Sequence, residues 1–578
     1  MFLTRVSVFV ICVVSAFATM AQSDDKTAEK QRKLDVLVSQ INDDAADLKL
    51  TENRAFVYAK LGGIACRRDV TAGRALFEKA VAELVAAQSE AESSRKSSRQ
   101  QYDQFVNQNI RPRILHLIAS YDAELALDAL IRTRPAIVAE ALRFQPAKNQ
   151  KISSYSNGNY SYVADNERNL EQTFTRMAAE QKPERAAKLI KDALKKNITN
   201  ETLNLLKKLH EKDPTAANSF ANEIADRLIR GKFETAAGQP DNTSINVAMG
   251  FVSDYIRERQ PNEKSIEFDA GQMRVLADRL IAFYLDKGQN YGYYNVQIVT
   301  IAQKLAPASV AELKQIRPNY RNGFDTYSYD PDVQKVMQSD ATVEQLLALT
   351  QKIPANMHSM IYDRAARKIA QSGDTAAARS FVEDHFDGDM LENELQQLDW
   401  QEANNLQSAG RFDEAERIID QMPDAARIGA LVNLANYAYN QDVVKNATYA
   451  AAVIGKARQA IGERAENQTE MSNLLQIVAA YSRIEPRYAC AEMETIVPQI
   501  NEITNAAVTM QQYQGGGNTR QGEAVIVNGF NFGVYFDFSA LPTLAKLDLE
   551  RTLNIINTFA RPETRILLRL QLAESGLE

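Results

Sequence analysis

The sequence predicts an all-α chain, folded as a right-handed solenoid of stacked helical hairpins with short insertions rich in Tyr, Gly and Asn. Three observations point there. Apolar residues recur at helical spacing through most of the 578 residues. Gly (24) and Pro (16) are scarce, so helix breaks are few. Small residues return 31–37 positions apart after similar turns, which is the period of two-helix repeats.

Composition narrows the function classes. Apolar residues are 45% and charged residues 24%, as in ordinary folded proteins. The net charge of −7 disfavours nonspecific nucleic-acid binding, which needs clustered Lys and Arg. The short basic pairs Lys195-Lys196 and Lys207-Lys208 read as solvated helix faces.

Residues 1–21 read as a secretory leader. Arg5 supplies the positive start, Val6 to Phe17 the apolar run, and Ala16-Phe17-Ala18 or Thr19-Met20-Ala21 the cleavage spacing. The run of about twelve residues is short of the roughly twenty needed to span a membrane. The mature chain, 22–578, is then expected to be exported, periplasmic or extracellular, as one continuous solenoid with no membrane span. Of three cysteines, Cys66 and Cys490 remain after cleavage, and both are expected to be buried free thiols.

Along the body, Pro183 precedes Ala186 by three, Pro214 precedes Ala217, and Pro486 precedes Ala489. Proline at a first helical position loses no hydrogen bond. Ile361, Ala365 and Ile369 form one stripe. Ile428, Leu431, Val432, Ala435 and Tyr439 form another, and Leu474, Ile477, Val478 and Tyr481 a third. Two turns are alike, Gly373-Asp374-Thr375-Ala376-Ala377-Ala378 and Gly410-Arg411-Phe412-Asp413-Glu414-Ala415. Each Gly can close a helix in the left-handed conformation. Ala378 and Ala415 are 37 apart, and the same step predicts Ala452 and Ala489 as equivalents.

The segments 409–416 (AGRFDEAE) and 372–379 (SGDTAAAR) resemble the inter-helix turns of tetratricopeptide-like repeats. The full pattern is absent, since Trp400 is not followed by Leu-Gly at the family spacing. Leu50 to Leu84, Ile114 to Pro135 and Asp537 to Leu572 resemble segments of exported bacterial helical-repeat proteins. That resemblance implies an architecture and no activity.

Four segments break the helical pattern, near 153–162, 288–295, 318–329 and 512–538. They hold Tyr155, Tyr160, Tyr162, Tyr291, Tyr293, Tyr294, Tyr320, Tyr327, Tyr329, Tyr513 and Tyr535, half of the 22 tyrosines. Tyr among Ser, Gly and Asn suits recognition, giving broad contact area at small entropic cost. The first nine are the candidate ligand-binding residues, for a protein, peptide or glycan along a concave face. The alternative is that these tyrosines cover exposed core edges. Val525 to Phe538 alternates enough to form a β-hairpin around Asn528-Gly529.

Catalytic and metal patterns are weak. His116 reads as a packed core residue. Asp384-His385-Phe386-Asp387-Gly388-Asp389 offers hard oxygen ligands without EF-hand spacing, and reads as an acidic inter-helix loop. Ser93-Ser94-Arg95-Lys96 lacks the partner motifs of penicillin-recognising enzymes. No catalytic residue, metal ligand or cofactor is assigned. The expected role is an exported interaction scaffold. The alternatives are a glycan-cleaving envelope enzyme, which needs two spaced carboxylates, and a structural envelope component.

Overall fold

A computed structural model describes residues 29, 31–92, 109–143, 154–234, 240–260, 263–287, 295–316, 336, 340–353, 355–514, 519–527, 529 and 536–575. The side chains of 91, 92, 154–162, 295, 296 and 425 lie outside that description. So do the leader at 1–21, Ser93 to Lys96, and Tyr291, Tyr293, Tyr294, Tyr320, Tyr327, Tyr329 and Tyr535.

The chain is all-α, with helices packed in adjacent pairs. They are α1 (31–46), α2 (Thr51–Cys66), α3 (Val70–Glu92), α4 (Arg111–Ala119), α5 (Ala123–Arg132), α6 (Ala136–Arg143) and α7 (Ser154–Gln181). Next come α8 (Ala186–Lys196), α9 (Thr202–His210), α10 (Pro214–Arg230), α11 (Asn242–Ile256), α12 (Ala270–Lys287), α13 (Asn295–Leu305) and α14 (Val310–Gln315). Then follow α15 (Val343–Ala348), α16 (His358–Gln371), α17 (Thr375–His385), α18 (Gly388–Ser408), α19 (Phe412–Ile419), α20 (Asp424–Gln441) and α21 (Ala447–Gln459). Helices α22 (Gln468–Ile484) and α23 (Pro486–Tyr513) precede the strands β1 (Thr519–Arg520) and β2 (Glu523–Ala524). The series ends with α24 (Ala540–Leu547), α25 (Leu549–Asn557) and α26 (Pro562–Glu574). No described helix is long and apolar enough to cross a membrane.

Two compact units divide the chain. One spans Ile118–Leu398; the other combines Met1–Leu117 with Asp399–Glu578. In the 118–398 unit, successive helices share a core that includes Ile190, Leu205, Ile224, Phe251, Leu276 and Ile301. Phe251 packs against Phe268 at 5.1 Å between ring centres, and Phe233 meets Phe283 edge-on at 5.8 Å. In the discontinuous unit, α20, α22 and α24 pack in succession, and α26 packs on both α24 and α2. The N-terminal hairpin α2–α3 therefore stacks as though it followed the C-terminal helix.

Hairpin construction follows the turns. Gly373 (φ +93°) and Gly410 (φ +73°) end α16 and α18 in the left-handed region. Asp122, Asp213 and Asp374 then cap the next helix by accepting from the backbone N–H three residues on, at 2.9, 3.0 and 2.9 Å. Four residues after the cap stands a fully buried alanine, at Ala126, Ala217 and Ala378, and Ala415, Ala450 and Ala489 hold the same place in other hairpins. A small side chain there lets the helices approach closely. Ala452 is exposed; Ala450 is the buried equivalent, because the turn before α21 makes that step shorter than 37. Pro214 and Pro486 open their helices as expected, but Pro183 lies in the turn before α8.

Three other expectations are corrected. Residues 154–162 are the first turns of α7, not a loop. A mid-helix glycine costs about 1 kcal/mol, less than a helix gains by packing along its length, so the Asn157-Gly158 signal loses. A hairpin is formed at β1–β2, while Asn528 and residues 530–535 of the expected one lie outside the described residues. Gln521 (φ +55°) and Gly522 (φ +76°) supply the two positive φ angles its turn needs, with Thr519 opposite Ala524. Val525, Ile526 and Val527 are buried in a row, so that stretch does not alternate. His116 is exposed, on the face of α4 opposite Ile114 and Ile118. Among the described residues neither Cys66 nor Cys490 is in a disulfide; Cys490 is buried, which pushes its thiol pKa up, and Cys66 is half-buried.

Candidate functional site

Of the candidate tyrosines, Tyr291, Tyr293, Tyr294, Tyr320, Tyr327 and Tyr329 lie outside the described residues. Tyr155, Tyr160 and Tyr162 share the start of α7, so they stand on one helix. Tyr513 ends α23 and is almost fully exposed. The basic pairs prove to be partly neutralised helix faces: Lys196 meets Glu171 at 2.8 Å, Lys207 meets Asp254 at 2.7 Å, and Lys208 meets Glu211 at 2.8 Å.

One perturbed acid lies between α16 and α18. Glu394 hydrogen-bonds Asp363, and burial, then the Asp363 charge, pushes its pKa up to about 7. Asp363 also accepts from Arg367 Nε at 2.6 Å, and Arg367 reaches Gln397 at 2.9 Å. Nearby on α16 and α17, Tyr362 lies 4.5 Å from the His385 ring, which stacks on Phe381 at 4.1 Å. His385 Nδ1 faces the Phe381 carbonyl at 2.8 Å. The acidic stretch 384–389 thus commits its histidine to packing. Among the described residues, no three His, Cys, Asp or Glu side chains converge as metal ligands.

Two carboxyl groups that share a hydrogen bond hold one proton between them. Glycoside hydrolysis instead requires carboxyls about 5–9.5 Å apart, with the sugar between them. The Asp363–Glu394 pair is therefore a polar seam between helices rather than an acid and nucleophile of that kind. No signal in the sequence marks it among 74 acids.

The pair has a pH signature. Its folded pKa is raised above the ordinary glutamate value, so folding binds a proton here. The contribution is complete below about pH 4.5 and lost as pH rises through about 7. Glu394→Gln is expected to flatten this part of the pH dependence and to stabilise the protein at pH 8. The gain is about 1 kcal/mol, after discounting for solvent screening. Urea unfolding of both proteins at pH 5, 6, 7 and 8 checks it. Parallel curves for the two would contradict the assignment.

The most elaborate polar cluster joins the chain's two ends. Glu523 on β2 accepts from the backbone N–H of Lys49 (2.6 Å) and Leu50 (3.4 Å) and from Asn53 Nδ2 (2.6 Å). Leu50 caps α2 without a side-chain bond of its own, so a carboxylate about 470 residues away supplies the negative charge at that helix start. Asn53 Nδ2 also donates to the Ala524 carbonyl at 2.8 Å, and Asn53 Oδ1 accepts from Ile526 N–H at 2.9 Å. Arg520 pairs with the fully buried Glu52 at 3.1 Å. Glu563, in the first turn of α26, accepts from Ala524 N–H at 3.1 Å and from Arg561. Burial raises the pKa of both Glu52 and Glu523. These groups pair with one another, so the cluster's evident work is to close the fold.

No family model and no curated protein matches the chain. A solved structure described as a "Circular tandem repeat protein with novel repeat topology and enhanced subunit contact surfaces" aligns over 93% of this chain and 97% of its own, at 11% identity. The TM-score is 0.19, too low to carry an argument.

Proposed function

We infer that the protein is an exported interaction scaffold that binds a protein, peptide or glycan along a face of its stacked hairpins. The observation that carries this is the repeated hairpin architecture. Each hairpin buries one flank against its neighbours and offers the other, so a stack presents a long surface with repeated contact points. The left-handed Gly373 and Gly410 and the buried Ala378 and Ala415 support a tetratricopeptide-like reading of these hairpins. The tyrosine-rich segments, one of them the start of α7, supply the anchors. Residues 1–21 supply the address, which places the scaffold in the periplasm or outside the cell.

Replacing Tyr291, Tyr293 and Tyr294 together by Ser tests the anchor role. The helical circular dichroism spectrum is expected to persist, while partners cross-linked by the parent in the native extracellular fraction are lost. Unchanged capture by the variant would remove that segment from the binding face.

A further inference from the structure

The α2–α3 hairpin meets β1, β2 and α26 across a polar seam whose carboxylates, with one exception, face cations. Glu52 pairs with Arg520 at 3.1 Å, Glu563 with Arg561 at 2.6 Å, Glu574 with Lys60 at 2.7 Å, and Asp44 with Arg569. On α3, Glu83 meets Arg54 at 2.8 Å and Glu90 lies 3.9 Å from Arg520. The exception is Glu523 on β2. It is 5% exposed, and among the described residues its hydrogen-bond donors are all neutral: the N–H groups of Lys49 and Leu50, and Asn53 Nδ2. The Lys49 ammonium turns instead to the Gln521 carbonyl at 3.2 Å.

Glu523 thus stands on one side of the seam and these donors on the other. Parting the two sides gives its charge to water. The hairpin can leave as one piece, because α2 and α3 hold each other at a crossing where a Cβ added to Gly73 would lie 2.8 Å from the Gly62 oxygen. A buried carboxylate without a cation favours its protonated form. Burial holds the Glu523 carboxyl above the ordinary glutamate range; the Asn53 and Lys49 bonds oppose this, and the nearby Glu563 charge adds to it. Burial raises Glu52 as well, against the pull of Arg520. Closing the seam therefore binds a proton. The stability this contributes is whole below about pH 4.5 and is lost as pH rises through the raised value.

We propose that this seam is an acid-closed latch in which Glu523 is the sensing group, and that alkaline solution loosens the α2–α3 hairpin from β2 and α26. The other acids packed around it, Glu52, Glu83, Glu90 and Glu563, each have a cation beside them, so the pH response concentrates on Glu523. An open latch bares the backbone N–H groups of Lys49, Leu50 and Ile526, which bond across the seam, without unwinding α2. The Glu394–Asp363 pair titrates in the 118–398 unit and is read separately. The latch is independent of the partner face, and either can fail without the other.

The test is hydrogen exchange of the full chain across a series from about pH 5 to about pH 9, corrected for the intrinsic pH dependence of amide exchange. At the acid end the amides of Lys49, Leu50 and Ile526 should be as protected as Leu474, Ile477 and Val478 in the core of α22. As pH rises the three seam amides should lose protection while the α22 core keeps it. Glu523→Gln keeps the side chain's shape and one acceptor oxygen but cannot titrate, so its seam profile should be flat; circular dichroism checks that it folds. The parent's profile decides whether the latch exists. Protection at the seam that stays level or rises with pH, or that the α22 core loses in step, overturns the proposal. A seam profile flattened by Glu52→Gln but not by Glu523→Gln would overturn the choice of sensing group.

Discussion

Asn53→Ala is expected to destabilise the unit built from the two chain ends by about 3–5 kcal/mol, the cost of breaking a buried polar network. The side chain is fully buried and serves three partners at once: Glu523, the Ala524 carbonyl and the Ile526 N–H. Alanine leaves all three without it, and each orphaned buried group costs about 1–3 kcal/mol. Water entering the vacated space would offset part of this. Asn53→Asp should be worse. It keeps the acceptor for Ile526 but sets a second carboxylate against Glu523, whose pKa burial already raises. Urea denaturation followed by circular dichroism measures both. A loss below about 1 kcal/mol for Asn53→Ala would mean that the two ends do not depend on this residue.

Gly73→Ala should have the next largest effect, although alanine is the better helix former by about 1 kcal/mol. Helices α2 and α3 cross here almost backbone to backbone. A Cβ on Gly73 would lie 2.2 Å from Cys66 Sγ and 2.8 Å from both the Cys66 nitrogen and the Gly62 oxygen. Sulfur can rotate away, but the backbone atoms cannot. The helices must separate, and overpacking of this kind costs about 1–3 kcal/mol. Gly62 faces the same crossing, where an added Cβ would meet the Phe77 ring at 2.5 Å. Gly429→Ala is the control, because nothing lies within 4 Å of its Cβ position and α20 should gain. Thermal melts of the two variants should therefore shift in opposite directions. Equal shifts would contradict the close crossing.

The parts of the fold that were legible in the sequence are those fixed by short-range chemistry. The Gly373 and Gly410 turns read correctly because a left-handed helix end needs glycine and the following alanine needs space. The stripes at Ile361 and Ala365, or Leu474, Ile477 and Val478, read correctly because helical period alone decides which face is covered. Fixed-step reasoning failed at Ala452, because turn length between hairpins is not constant. Composition failed at 154–162, where turn-forming residues continue into a long helix held by its neighbours. The site was less legible. Glu394 and Asp363 are 31 residues apart on different helices, and Asn53 and Glu523 are 470 apart. No local pattern announces such pairs.

Hydrogen exchange at Lys49, Leu50 and Ile526 tests the closure of the two ends most directly, since these amides bond only to groups that chain folding brings from the opposite end. The account predicts that all three exchange with the slow core of α2 and α22, and that Asn53→Ala releases them together. Exchange at the rate of open turns in the parent protein would show that the ends do not meet, and the stacking order drawn from them would fall.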